Sequence, residues 1–138
     1  MIEPEIGSSA TVDLVVRESD CASALKLSDD PRDIFPPVFA TTRMIALMEL
    51  AGARLLYPLL QPGEMSVGAH VDVSHTAATP IGAKVTATAI YRERDGELFV
   101  FEVIAHDPAG EIGRGVHKRA IVSRDRLLSG AARRCPAN

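Results

Sequence analysis

Glu49 and His75 are the two residues of this 138-residue chain whose surroundings best fit catalytic chemistry. Glu49 is the only acid in the helical pattern FATTRMIALMELAGARLLY, and the other residues of 45–53 are uncharged. His75 lies on the apolar parity of the strand-like segment MSVGAHVDVSHTAATP. A carboxylate and an imidazole directed at one core are costly to bury unless they pair or take part in chemistry. An acid and a histidine placed in this way indicate hydrolysis.

Two threonines and one glycine extend this candidate site. Thr41 and Thr42 precede Glu49 by eight and seven residues, which places all three within about one face of a helix. One threonine is expected to cap the helix, and the other to bind substrate or orient the histidine. Gly68, of opposite parity to His75, is a candidate for a backbone N–H that faces the substrate. A β-bulge or a packing glycine would explain Gly68 equally well.

The remaining polar residues give no motif of another enzyme class. The chain has no GxSxG, P-loop, GxGxxG or CxxC pattern. His70 and Asp72 share a strand face, but without a third ligand they are expected to be a solvated pair. His106 and His117 fall on separate strands and are expected to have structural or surface roles. We therefore expect neither a metal nor a cofactor.

Length, charge and composition limit the possible partners. A chain of 138 residues is long enough for one domain with one core. A net charge of −3 argues against broad binding to nucleic acid or to an anionic membrane. The N-terminal segment MIEPEIGSS lacks the apolar stretch of a signal peptide, and no apolar run approaches the ~20 residues of a membrane span. Cys21 and Cys135 do not suggest a disulfide framework, which favours a cytoplasmic location.

The hydrophobic pattern predicts one strand, one long helix and then four strands joined by tight turns. The first strand is expected over residues 10–18, and the helix begins at Thr41 or Thr42 and ends before Pro58. Residues 19–34 predict a long loop or a short helical flap, either a lid or a plain surface connection. The later strands are expected over residues 65–76, 84–94, 97–106 and 111–123, with a hairpin at Asp95-Gly96. A frayed tail is expected from about Ser129.

One amphipathic helix over one antiparallel sheet is an α+β architecture. The helix has a single strong apolar stripe, and the sheet has few aromatic residues to close its far side. A core this thin would gain stability from a second copy. We expect an obligate homodimer formed by pairing of sheet edges, with a tetramer as a further option.

Three segments resemble the hotdog-fold thioesterases of the fluoroacetyl-CoA thioesterase type. They are FPPVFATTRMIALMELA, PGEMSVGAHVDVSHTAATPIGAKVTATA and AHDPAGEIGRGVHKRAIV, of which VSHTAATP and HKRA are the most specific parts. The resemblance covers residues 10–125. It implies a hotdog fold, in which a five-stranded antiparallel sheet wraps one long central helix. It also implies a dimer with active sites at its interface, and acyl-CoA hydrolysis in which CoA is part of the substrate.

The resemblance assigns roles to individual residues. The catalytic threonine, glutamate and histidine of the family match Thr41, Glu49 and His75. The resemblance also implies that Phe35 lies in the pocket lid, Gly68 beside the thioester carbonyl and Arg119 near the CoA portion. Thr42, the second threonine discussed above, is also expected to contact substrate.

Some positions depart from the family pattern. Arg32 stands where the fluoroacetyl-specific enzymes have a further aromatic lid residue, and Leu50 and Ala53 replace helix residues of other shapes. Hydrolysis of an acyl-CoA with a short or small acyl group is expected, and these departures argue against specificity for fluoroacetyl-CoA. Two alternatives remain, a non-catalytic acyl-CoA binder and a hotdog enzyme of different chemistry such as an enoyl-CoA hydratase. The hydratases carry an Asp and a His close together near the helix start, and no such His lies near Thr41.

Overall fold

A computed structural model describes residues 2–137. Its main elements are β1 (Ser9–Val15), α1 (Thr41–Leu56), β2 (Glu64–His75), β3 (Lys84–Asp95), β4 (Leu98–Asp107), β5 (Gly110–Ser123) and α2 (Arg124–Arg134). The strands form one antiparallel sheet in the order β1-β3-β4-β5-β2, and α1 packs across one face. The predicted α+β architecture is confirmed. No helix within residues 2–137 is long and apolar enough to cross a membrane.

The core lies between helix α1 and the central strands. Residues three or four apart along α1 form its buried stripe, as expected for an amphipathic helix. These residues are Met44, Leu47, Met48, Ala51 and Leu56. Alternate residues of β3 and β4 complete the core from the sheet side. They are Val85, Ala87, Ala89, Tyr91, Phe99, Phe101, Val103 and Ala105.

Helix α1 begins without a threonine cap. Its N-cap is Ala40, which makes no side-chain capping hydrogen bond, and Thr41 is the first helical residue. The prediction of a capping threonine is therefore wrong. The hydroxyl of Thr41 is free to bind elsewhere. The helix ends at Leu56 and continues as a short 3-10 turn through Pro58, as the proline predicts.

A buried carboxylate ties the predicted loop of residues 19–34 to the start of α1. The loop begins with two 3-10 helices, Glu18–Asp20 and Ala22–Ala24. The carboxylate of Asp20 accepts hydrogen bonds from Arg17 Nε at 3.1 Å and from Arg43 Nη2 at 2.6 Å. Burial alone would raise the pKa of Asp20, but the hydrogen bonds from Arg17 and Arg43 outweigh it and lower the pKa to about 2. The loop is thereby anchored to the first turn of α1, which begins at Thr41.

A β-bulge in β2 changes which of its residues share a face. The register against β5 shifts between Gly68 and His70, so that Ala69 is an extra residue. Gly68 pairs with Arg119, and His75 pairs with a residue of β5 six positions earlier. Paired residues point to the same side, so Gly68 and His75 both face α1. The prediction that they have opposite parity is wrong because the bulge resets the alternation.

The C-terminal residues form a helix rather than the expected frayed tail. The hydroxyl of Ser123 accepts the Arg126 backbone N–H at 3.3 Å and caps α2. Asp125 lies in the first turn and Arg133 and Arg134 in the last, where each charge suits the helix dipole. No residue of α2 is buried. Capping and charge, rather than an apolar stripe, distinguish this helix, which is why the hydrophobic pattern missed it.

The hairpin predicted between β3 and β4 is confirmed with a shift of one residue. Asp95 still pairs with Leu98, so the two-residue loop is Gly96 and Glu97. Gly96 has a φ of 61°, the left-handed conformation that such turns require.

Candidate active site

Thr41 and His75 form a hydrogen-bonded pair where the start of α1 meets the end of β2. Thr41 Oγ1 lies 2.7 Å from His75 Nδ1. The other ring nitrogen, Nε2, is buried and has no hydrogen-bond partner within residues 2–137. Buried polar atoms are rarely left unpaired, so this nitrogen marks a position where a ligand atom would bind.

A cavity of about 360 Å³ opens beside the Thr41–His75 pair. Its walls come from the helix start, the loop before it and the loop after β2. The lining residues are Ala22, Pro36, Val38, Phe39, Ala40, Thr41, His75, Thr76, Ala77 and Ala78. Its volume is near the lower end of the range for ligand pockets, so the cavity suits a compact group next to His75 Nε2.

The predicted lid residue Phe35 does not line this cavity. Phe35 is half-exposed and lines a neighbouring hollow together with Leu25 and Leu27. Arg32 is exposed and donates from Nη2 to Asp30 at 2.6 Å. Thr42, also predicted to contact substrate, is exposed on the first turn of α1.

Glu49 pairs with Arg119 rather than with His75. Arg119 Nη1 donates to Glu49 Oε1 at 3.3 Å. Arg119 also donates from Nε to the Ser66 hydroxyl and from Nη2 to the Ser66 carbonyl, each at 3.0 Å. Arg119 is 7% exposed, whereas the Glu49 side chain is 38% exposed. The carboxylate is therefore held on one side and open on the other.

His117 lies beneath the Glu49–Arg119 pair and is buried. Its Nδ1 is 2.8 Å from the His70 carbonyl oxygen, and its Nε2 is 3.1 Å from Arg119 Nη1. A carbonyl can only accept and a guanidinium can only donate, so Nδ1 carries the proton and Nε2 accepts. Burial, with the charge of Arg119, lowers the pKa of His117 and favours this neutral form. Here Glu49, Ser66, His117 and Arg119 are called the Glu49 cluster.

Gly68 gives the Glu49 carboxylate its room. A Cβ built on Gly68 would overlap Glu49 Oε1 and would lie 3.3 Å from His117 Cε1. Only glycine allows the carboxylate to lie this close to strand β2. The bulge leaves Ala69 without a pairing partner in β5, next to the contact between Gly68 and Glu49. Bulges of this kind are common beside active sites.

The Thr41–His75 pair and the Glu49 cluster are two separate half-sites within one protomer. Thr41 and Glu49 are eight residues apart on α1, which corresponds to about 12 Å along the helix axis. Reacting groups must approach to about 3–3.5 Å. Thr41, Glu49 and His75 therefore do not surround one reacting bond within a single protomer.

Comparison with known proteins places the chain in a family. Residues 16–125 match the family of fluoroacetyl-CoA-specific thioesterases. The chain belongs to this family. It is 39% identical over 132 residues to the fluoroacetyl-CoA thioesterase of Streptantibioticus cattleyicolor, covering 96% of this chain and 95% of that protein. Thioester hydrolysis is thus the chemistry of its relatives.

Solved structures confirm the predicted hotdog fold for this thioesterase. One is a mutant of the fluoroacetyl-CoA-specific thioesterase in complex with fluoroacetate and CoA. It superposes with a TM-score of 0.83 at 40% identity, covering 89% of this chain and 98% of that chain. The other is a hot-dog-like protein from Thermanaerovibrio acidaminovorans, with a TM-score of 0.78 at 25% identity, covering 96% of this chain and 94% of that chain.

Ser66 and His117 are not among the predicted site residues, yet both bind Arg119 beside Glu49. His117 does lie on a different strand from His106, as predicted, but it contacts the candidate catalytic machinery. The signal was available, because His117 and Arg119 alternate along β5 and so point to the same side. His70 and Asp72 are exposed. No group of three or more His, Cys, Asp or Glu residues in the described chain is arranged to hold a metal ion.

Proposed function

We propose that the protein hydrolyses acyl-CoA thioesters to a free acid and CoA, with a short or small acyl group preferred. The observation that carries this proposal is the buried, unpartnered Nε2 of His75 beside a cavity lined by small side chains. Membership of a thioesterase family supports the reaction type. The cavity volume of about 360 Å³, near the lower end of the range for ligand pockets, supports the limit on acyl size.

The reaction assigns one chemical role to each half-site. Glu49 either removes a proton from a water that adds to the thioester carbonyl, or attacks the carbonyl itself before water releases the acid. The carbon–sulfur bond then breaks. His75, oriented by the Thr41 hydroxyl at Nδ1, donates a hydrogen bond from Nε2 to the departing thiolate, and the proton lost by the attacking water completes the thiol. Both routes consume one water and yield one acid and one thiol.

We infer that backbone N–H groups near Gly68 stabilise the developing oxyanion. Two observations support this: Glu49 lies against this glycine, and the bulge that follows takes Ala69 out of the strand pairing. One preorganised N–H donor of this kind contributes roughly 10²–10³ in rate. Gly68 therefore serves both the approach of Glu49 and the binding of the carbonyl oxygen.

We also propose that the protein is a homodimer formed through β2. This strand is at the edge of the sheet, is 12 residues long, and exposes Met65 at 37% and Val71 at 40%. A long, exposed edge strand with apolar residues is a template for pairing with another chain. A two-fold axis near Val71 would set His70 of each copy opposite Asp72 of the other, a favourable cross-strand pair.

This dimer would unite the two half-sites. His75 is four residues from Val71, and Gly68 is three residues away in the other direction, of which the bulged Ala69 is one. Antiparallel pairing about Val71 brings His75 within about two residues, roughly 7 Å, of Gly68 in the second copy. Each active site would then consist of a Thr41–His75 pair and the Glu49 cluster of the other protomer.

The cysteines support the cytoplasmic location expected from the sequence. Cys21 is buried and Cys135 is exposed, and both are free thiols. Exposed free thiols persist in a reducing compartment. We propose that the protein is cytoplasmic, that an acyl-CoA is its only partner besides a second copy, and that it uses no separate cofactor.

The test is release of free thiol from a panel of acyl-CoAs that runs from acetyl and fluoroacetyl through phenylacetyl to a long chain. We expect turnover with kcat/KM highest for the short acyl groups. Tight binding of every member without thiol release would contradict the proposal and indicate a non-catalytic binder. A hydratase would change an unsaturated acyl group without releasing CoA.

A further inference from the structure

We propose that His117 is a positioning residue for the catalytic carboxylate, because its neutral imidazole orients Arg119 toward Glu49. This inference rests on the role of Glu49 in the proposed function. It assigns Arg119 to the carboxylate within its own protomer, rather than to the CoA portion that the resemblance implies.

The donors of Arg119 are divided among three partners. Nε and Nη2 bind the hydroxyl and the carbonyl of Ser66. Nη1 has two hydrogens, of which one is directed at Glu49 Oε1 and the other at His117 Nε2. If His117 did not accept, a donor in an almost fully buried group would lose its partner. The guanidinium would then tilt, and its contact with Glu49 would change.

The His70 carbonyl selects the form of His117 that can accept. This carbonyl lies 2.8 Å from Nδ1 and belongs to the residue that follows the bulge in β2. A proton on Nδ1 leaves the lone pair of Nε2 free for Arg119. The bulge thus fixes Gly68 under Glu49 and also sets the tautomer of His117.

Neutral groups from β4 and α1 pack against the ring of His117. Phe101 of β4 stacks on it with ring centroids 6.4 Å apart, and a Cβ on Gly52 of α1 would lie 3.4 Å from Cδ2. The titratable groups near the ring are Arg119 on its own strand, His70 of β2, and Glu49 on α1, whose Oε1 lies 4.0 Å from Nε2. The Glu49 carboxylate by itself raises the pKa of His117, but burial and the charge of Arg119 outweigh it and keep the pKa low. Protonation would place a second cation 3.1 Å from Arg119 Nη1 in a buried site.

Two variants separate the acceptor function from the packing function. His117→Gln keeps an oxygen that can reach Arg119. His117→Asn keeps a donor near the His70 carbonyl but does not reach Arg119. We expect His117→Asn to lower kcat by about 10–100-fold with little change in KM, comparable to the loss of partners that orient metal ligands. His117→Gln should stay within about threefold of the wild type.

A double-mutant cycle and a spectroscopic measurement guard against a purely structural effect. In the Glu49→Gln background, His117→Asn should cause no further loss of kcat, whereas an additive loss would overturn the proposal. An equal loss of kcat in the Asn and Gln variants would overturn it as well. Thermal unfolding of each variant shows whether a loss of kcat comes from unfolding.

Nitrogen NMR of histidine-labelled protein tests the inference without relying on turnover. The signal that disappears in His117→Gln should show a protonated Nδ1 and an unprotonated Nε2 from mildly acidic to mildly alkaline pH. A proton on Nε2 would overturn the inference even in an active enzyme. A wild type that hydrolyses no acyl-CoA but shows the expected tautomer would instead contradict the proposed function alone.

Discussion

A heterodimer with Glu49→Gln in one protomer and His75→Ala in the other should regain activity that both parent homodimers lack. Thr41 and Glu49 are about 12 Å apart along α1, and Thr41 is hydrogen-bonded to His75. A single protomer therefore does not bring Glu49 and His75 to one thioester, and in the proposed dimer each copy supplies one half of each site. In the heterodimer one of the two sites receives both lesions and the other receives none.

The magnitude follows from counting intact sites. Loss of a general acid or base lowers the rate by about 10²–10⁴-fold in each parent homodimer. The heterodimer should turn over at about half the wild-type rate per dimer, because one site of two is intact. Co-expression with two different tags, followed by purification on both, isolates the heterodimer for assay of thiol release.

A second heterodimer, with both substitutions in the same protomer, supplies the control. It carries Glu49→Gln and His75→Ala together in one protomer and is wild type in the other. Sites shared between protomers would leave one lesion in each site and almost no activity. Sites confined to one protomer would leave this dimer half-active and the first heterodimer as inactive as its parents, and that pattern would refute the reasoning.

Three further predictions concern single residues. Gly68→Ala should displace the Glu49 carboxylate and lower kcat by about 10-fold or more with little change in thermal stability; unchanged kinetics would show that the close approach is not needed. Thr41→Val should lower kcat more than it raises KM, because His75 loses its orienting partner, and steady-state kinetics check this. Asp20→Asn should cost about 1–3 kcal/mol in urea unfolding at neutral pH. Because the pKa of Asp20 is lowered to about 2 in the folded protein, this difference should shrink as the pH falls from about 4 to 2; a constant difference would exclude the ion pairs as its cause.

Local patterns were sufficient to predict the elements and the candidate residues. The isolated acid in an apolar helix and the histidine at a strand end both lie in the site region. The order of one strand, one helix and four strands is also confirmed, since each element has its own hydrophobic period. These predictions depend only on residues close together in sequence.

Features that depend on distant contacts were not predictable in this way. The bulge at Ala69 is one extra residue relative to β5, and it moves Gly68 and His75 to the same face. The pairing of Glu49 with Arg119 joins residues 70 positions apart and became visible only when the register was known. The two half-sites are separate because Thr41 and Glu49 are eight residues apart along α1. The predicted roles of these two residues did not include this distance.

The most direct test of Glu49 as the catalytic carboxylate compares thiol release by the wild type and by Glu49→Gln on the best acyl-CoA of the panel. We expect clear turnover by the wild type and loss of most of kcat in the variant, because glutamine keeps the size of the side chain but lacks its charge. Near-normal turnover by Glu49→Gln would contradict the assignment of the catalytic carboxylate.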